Sequence, residues 1–157
     1  MSKIAKTPYE DRAVERLRAT GHRITTPRLI VIRVLSRATR ALSAADIHRE
    51  ILAQNFRVDM VSVYRVLGTL AEIGLVHHVG LVDAYRACTS EDFHDENQEH
   101  LVCSECGGVT EIPFSPDLLA AANNQLRSVS FKPSLIKLEI RGICEKCDGS
   151  PKSESPA

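Results

Sequence analysis

The strongest constraint on how this chain folds is a matched pair of cysteine motifs. Cys103 and Cys106 form one C-x2-C and Cys144 and Cys147 another, with 37 residues between them. Each lies in a turn-forming context, CSECGG and CEKCDG, so two knuckles can deliver four thiolates to a tetrahedron of about 2.3 Å Zn–S bonds. A thiol–disulfide redox pair or four buried thiols are the competing readings; two matched knuckles flanking a helix and a strand favour the metal. With cysteine at all four corners such a site has no open coordination position, so its role is structural.

The chain of 157 residues has room for one ordinary domain or two very small ones, and 43% hydrophobic with 25% charged residues is a globular composition. Its formal charge of zero hides an asymmetry. Residues 1–80 carry 13 basic and 7 acidic side chains, a net +6, and residues 81–157 carry 7 and 13, a net −6. A basic module attracts polyanions and an acidic one attracts cations, so two modules with different partners are expected. The opening MSKIAKTPYE has no apolar signal-type core, and the longest aliphatic run is Leu29–Ile32. A cytoplasmic protein without membrane association is expected, where paired cysteines bind metal more readily than they form disulfides.

Helical spacing predicts a first helix over Asp11–Ala19, stopped by Gly21. A second begins with Thr26 as N-cap and Pro27 in its first turn; a third is capped by Ser43 and runs out near Asn55; a fourth is capped by Asp59 and stopped by Gly74. Leu75–Val79 and Asp83–Ala87 then flank Gly80 as a hairpin, and helices followed by a hairpin is the order of a winged helix-turn-helix. The expected architecture is therefore α+β: a winged-helix domain over 1–88 with its wing at about 75–87, an acidic hinge or linker loop over 89–99, a small α/β domain over 100–148, and a disordered tail over 149–157. In that second domain, short strands Leu101–Cys103 and Val109–Ile112 surround the first knuckle. A helix opens at Ser115-Pro116 and ends near Arg127, and Ile136, Leu138 and Ile140 alternate with charged residues as a half-buried strand.

Residues 12–40 hold eight arginines and one acid, Glu15, and the fourth helix exposes Ser62, Tyr64 and Arg65 near its start, where a recognition helix meets base edges. A solvated basic face is the plainer alternative. Beside the knuckles, Cys88, His94, His100 and Glu111 are close in sequence, with His77 and His78 on the hairpin strand opposite Cys88. Sulfur mixed with imidazole and carboxylate suits a second Zn²⁺ better than Fe²⁺ or Mn²⁺. A zinc deaminase pattern, H-x-E before P-C-x-x-C, is approached by His94, Glu96, Cys103 and Cys106. It fails because six residues are too few to separate its halves, Val102 replaces the proline, and Cys144 and Cys147 are left without a role.

The blocks GHRITTPR, LSAADIHREI, VSVYRVLGTLAEIGLV, HLVCSECGGVTEI and GICEKC, in this order over roughly residues 10–148, resemble those of the ferric uptake regulator superfamily. The resemblance implies a homodimeric metal-dependent transcriptional repressor that binds a palindromic AT-rich DNA operator. Each chain would have a winged-helix DNA-binding domain and an α/β dimerisation domain, and would act as no enzyme and on no small molecule other than its metal. It implies Cys103, Cys106, Cys144 and Cys147 as structural zinc ligands, Tyr64 and Arg65 as the recognition pair, Arg23 at the minor groove, and His100 and Glu111 in a regulatory site. His77 and Cys88 are similar to the zinc uptake regulator branch, with His94 carried by proximity only. Where iron- and peroxide-sensing members carry a histidine run, this chain has Glu96, Asn97, Gln98, Glu99 and His100, and Ala41 stands at a frequent histidine position. Phe131–Ile136 also lacks a histidine for a third metal site. These departures favour zinc over Fe(II), Mn(II) or peroxide as the signal.

Overall fold

The computed structural model describes residues 7–88, 98–113, 115–133 and 136–149. The chain divides into two compact units, Met1–Asp95 and Glu96–Ala157. None of the helices among the described residues is long and apolar enough to cross a membrane.

The first unit begins with helix α1, Pro8–Ala19, three residues earlier than apolar spacing alone predicts. The reason is local: the Thr7 hydroxyl accepts from the Glu10 amide at 3.2 Å, and Pro8 occupies the first turn, where its missing N–H costs nothing. Helix α2 is Thr26–Arg37. Its N-cap is Thr25 and not Thr26, and the cap side chain makes no capping hydrogen bond, so the start rests on Pro27 and on the burial of Ile30, Val31, Ile32, Val34 and Leu35. Helix α3, Ala44–Ala53, is capped by Ser43, and helix α4, Met60–Glu72, by Asp59, each side chain accepting from the amide three residues on at 3.1 and 2.9 Å. Between them Asn55 takes a left-handed conformation, φ 62°, that closes the turn of the helix-turn-helix.

The wing follows as strands β1, Val76–Val79, and β2, Ala84–Ala87, antiparallel and joined through a single 3-10 turn over Gly80–Val82. Leu42 adds an isolated bridge to Tyr85 by two backbone hydrogen bonds of 2.9 and 2.8 Å, fastening the wing to the segment before α3. One core holds this unit together: Leu17, Val31, Ile32, Ile47, Ile51, Val63, Leu67, Leu70 and Leu75 have no exposed surface. Each of the larger side chains contributes about 1.5–3 kcal/mol by leaving water.

The second unit is a three-stranded sheet in the order β4-β3-β5. Strand β3, Gln98–Cys103, begins two residues inside the segment expected to be linker, because Gln98 and Glu99 extend the ladder against β4, Val109–Pro113. Helix α5, Pro116–Ser128, carries the crossover to β5, Leu138–Gly142, which runs parallel to β3, and a short helix α6, Glu145–Asp148, closes the second knuckle. The alternation in β5 does not half-bury it in a single chain: Ile140 remains 46% exposed at the sheet edge, and no residue of α5 is fully buried. Residues 150–157 of the expected disordered tail lie outside the described residues.

Candidate metal centre and nucleic-acid interface

The first knuckle is the tight turn between β3 and β4; the second is α6 and the residue before it. Gly107 turns with φ +66°, and a Cβ on Gly108 would stand 3.1 Å from the Cys106 sulfur, so the glycines that follow the first motif let the backbone wrap its thiol. The parallel pairing of β3 with β5 sets Cys103 beside Gly142, which brings the second motif to the first. The ligand atoms of Cys103, Cys106, Cys144 and Cys147 all lie within 4.8 Å of one another, and the Cys106 and Cys144 sulfurs are 3.8 Å apart. The edge of a regular tetrahedron of 2.3 Å bonds is about 3.8 Å, so the four thiols fit one zinc-sized ion.

Backbone amides are already turned toward the sulfurs. The Cys144 N–H donates to the Cys103 Sγ at 3.3 Å and the Gly108 N–H to the Cys106 Sγ at 3.4 Å. Amide donors, that of Cys106 foremost and then that of Cys144, pull the Cys103 thiol down to about 6. The neighbouring thiol of Cys144, followed by that of Cys106, pushes Cys147 up to about 12. Four thiolates cannot share this volume without a cation to neutralise them.

On the same sheet His100 faces Glu111 across β3 and β4 as direct partners, with Nε2 3.8 Å from Oε1 and the two side chains 3% and 8% exposed. An imidazole and a carboxylate held together out of water offer one nitrogen and one oxygen donor of the kinds that divalent ions take. Glu139 is the register partner of His100 on its other side. Among the described residues of this unit, the cysteines are the only group of three or more His, Cys, Asp or Glu ligand atoms that meets within 4.8 Å.

The wing separates its two histidines by parity. His77 pairs with Arg86 and His78 with Tyr85, so they point to opposite faces. The Cys88 amide bonds the Leu75 carbonyl at 3.0 Å, continuing the ladder by one step, and this puts the buried Cys88 on the face of His77. His78 is engaged elsewhere, 2.9 Å from Asp83 through Nε2 and with its ring centroid 4.9 Å from that of Tyr85. His94 lies outside the described residues.

Helix α4 buries Val63, Val66, Leu67 and Leu70 and turns Val61, Tyr64, Arg65 and Gly68 outward. Ser62 flanks that stripe and serves the cap: its Oγ donates to Asp59 Oδ2 at 2.6 Å, which with the Ser62 amide holds the Asp59 carboxyl below its usual range. Arg23 is exposed in the connection from α1 to α2, and its carbonyl accepts from Arg28. Val61 stands one turn before Tyr64 on the same outward stripe.

Comparison with known proteins places the chain in a family. The ferric uptake regulator family model matches residues 19–141. The ferric uptake regulation protein of Bacillus subtilis strain 168 is 31% identical over 146 residues, 88% of this chain and 94% of that protein. Among solved structures, a zinc uptake regulator complexed with zinc and DNA superposes with a TM-score of 0.81 at 25% identity, covering 91% of this chain and 97% of the other. Holo XcZur superposes with a TM-score of 0.76 at 27% identity, covering 88% and 96%. With the winged helix, the four-cysteine sheet and the family's pattern across most of its length, this chain belongs to the ferric uptake regulator family.

Proposed function

We propose that this metal-responsive transcription regulator is a zinc-sensing repressor that acts in the cytoplasm and binds a palindromic AT-rich DNA operator as a homodimer. As a family member it is a regulator and not an enzyme. Gathering all four cysteines in one cluster also removes the pattern on which a deaminase reading depended. Cys103, Cys106, Cys144 and Cys147 would hold a structural zinc whose chemistry is to neutralise four thiolates and tie the knuckles together. His77, Cys88, His100 and Glu111 are the sensing ligands, with His94 as an alternate or additional one; Arg23, Ser62, Tyr64 and Arg65 meet DNA.

The observation that carries the choice of zinc is the wing register, which places a buried thiol on the face of His77. A thiolate with imidazole and carboxylate is a softer donor set than iron or manganese sites prefer. The likeness to a zinc uptake regulator solved in complex with zinc and DNA supports the same reading. The exposed apolar residues Leu118, Val129, Phe131, Ile140 and Ile143 of the second unit, with β5 at a sheet edge, support a second copy of the chain as partner. Zinc bound by the sensing ligands would fix one half-site spacing of the two winged helices and so favour the operator-binding conformation.

The test is zinc per chain by elemental analysis, before and after mild chelation, with DNA binding measured in parallel on an AT-rich palindromic duplex. Two zincs, one removed easily together with DNA binding, are expected, and Cys88→Ala should lose the labile zinc alone. One resistant zinc, with binding restored by Fe(II) or Mn(II), would keep the repressor and overturn the metal. In the same assay Arg65→Ala should weaken binding by about 1–3 kcal/mol, as loss of a base contact does; unchanged affinity would remove α4 from the interface.

A further inference from the structure

The outward stripe of α4 holds more than the Tyr64 and Arg65 pair. Val61 is 59% exposed and Tyr64 55% exposed at i, i+3 spacing, and Gly68 continues the line one turn later. This first turn is not frayed, because Asp59 holds it through both the amide and the hydroxyl of Ser62. A β-branched residue in water at the start of a helix is a poor choice on propensity and adds nothing to the core. The glycine is as costly and equally unforced from inside: a Cβ on Gly68 would meet nothing within 4 Å. Both choices make sense for a face that another molecule approaches closely.

The surrounding charge identifies that molecule. Arg65 lies on the stripe and Arg57 is exposed in the turn before it, and the one acid between Arg57 and Gly68 is Asp59, whose two carboxylate oxygens are engaged by the Ser62 amide and hydroxyl. A basic surface with a bare hydrocarbon at its helix N-terminus is complementary to a major groove, where thymine alone presents a methyl group at the groove edge and apolar side chains read it. We propose that Val61 is a specificity-determining residue that packs on the 5-methyl group of a thymine in the operator. The inference rests on the DNA-binding reading above and adds to it which side chain distinguishes thymine.

The test uses the full-length chain purified with zinc. Duplexes are selected from a randomised library by the wild-type protein, and each thymine of the selected sequence is then replaced in turn by deoxyuridine, which deletes only the methyl. At one position per half-site the wild type should lose about fourfold in affinity, the factor for burying one methyl group. Val61→Ala should bind the thymine duplex about fourfold more weakly and be indifferent to uracil there, while Val61→Thr, which keeps a methyl, should restore the discrimination. Because the position is exposed and alanine favours the helix, folding of the variant is not at stake. Thymine-to-uracil ratios that are the same in Val61→Ala as in wild type, or a wild type insensitive at every position, would overturn the inference alone. Failure of the wild type to select any sequence would overturn the DNA-binding reading with it.

Discussion

Tyr9 shows how a single buried hydroxyl holds the winged helix in place. Its ring is 8% exposed, and its OH donates to the Leu75 carbonyl at 2.7 Å, tying α1 to the start of the wing beside the Arg16 Nε bond to the Ile73 carbonyl at 3.1 Å. Tyr9→Phe removes one of the two donors to that carbonyl, which keeps the Cys88 amide, and should cost about 1 kcal/mol in urea unfolding at neutral pH. Burial, reinforced by the nearby Cys88 and opposed by Arg12, raises the phenol well above the usual tyrosine range. A raised value in the fold means that the contribution is complete below the unfolded value of about 10 and is lost as pH rises through the folded one. The wild type should therefore lose stability above about pH 10 in a way that Tyr9→Phe does not; parallel losses would show that the phenol stays neutral in neither state.

At the scale of elements, the helix ends are decided by capping chemistry that is written into a few adjacent residues. Ser43 and Asp46 bond reciprocally, the Asp46 amide to Ser43 Oγ at 3.1 Å and that hydroxyl to Asp46 Oδ2 at 2.9 Å. The Ser43 hydroxyl, ahead of the partial burial that opposes it and of Arg49, keeps the Asp46 carboxyl below its ordinary range. Ser43→Ala should destabilise the first unit by about 1 kcal/mol. It should also move the Asp46 titration, followed by carboxyl NMR, upward toward the ordinary value. A depressed carboxyl stabilises above its unfolded value and loses that contribution as pH falls through the folded one, so the difference between variant and wild type should shrink in acid. An unshifted Asp46 would place the cause elsewhere. Thr25 and Thr26 mark where such reading slips by a residue: either fits before Pro27, and the burial of the α2 face chooses between them.

For the whole molecule, the two units differ in how much they bury. The first closes a core of fully buried aliphatics, whereas the buried hydrophobics of the second are Val102, Cys103 and Val109 among the described residues. A sheet with so little core would gain stability from a metal cross-link between its knuckles and leaves apolar surface for a partner to cover. If the exposed β5 face is that surface, Ile140→Asp should convert the dimer to monomer in sedimentation experiments while leaving the far-ultraviolet circular dichroism and the resistant zinc intact. A variant that stays dimeric would move the interface away from β5.

Sequence alone determined what depends on near neighbours along the chain: the amphipathic helices, their caps, the wing order and the two knuckles, because helical period, turn chemistry and ligand spacing all act over a few residues. Tertiary structure decided what depends on register between distant strands. One step of the wing ladder separates His77 from His78, the β3–β4 pairing sets His100 against Glu111, and the parallel β3–β5 pairing carries the second knuckle to the first across 37 residues of chain. Because side chains alternate from face to face, a shift of one residue would reverse each of these choices without altering the local pattern.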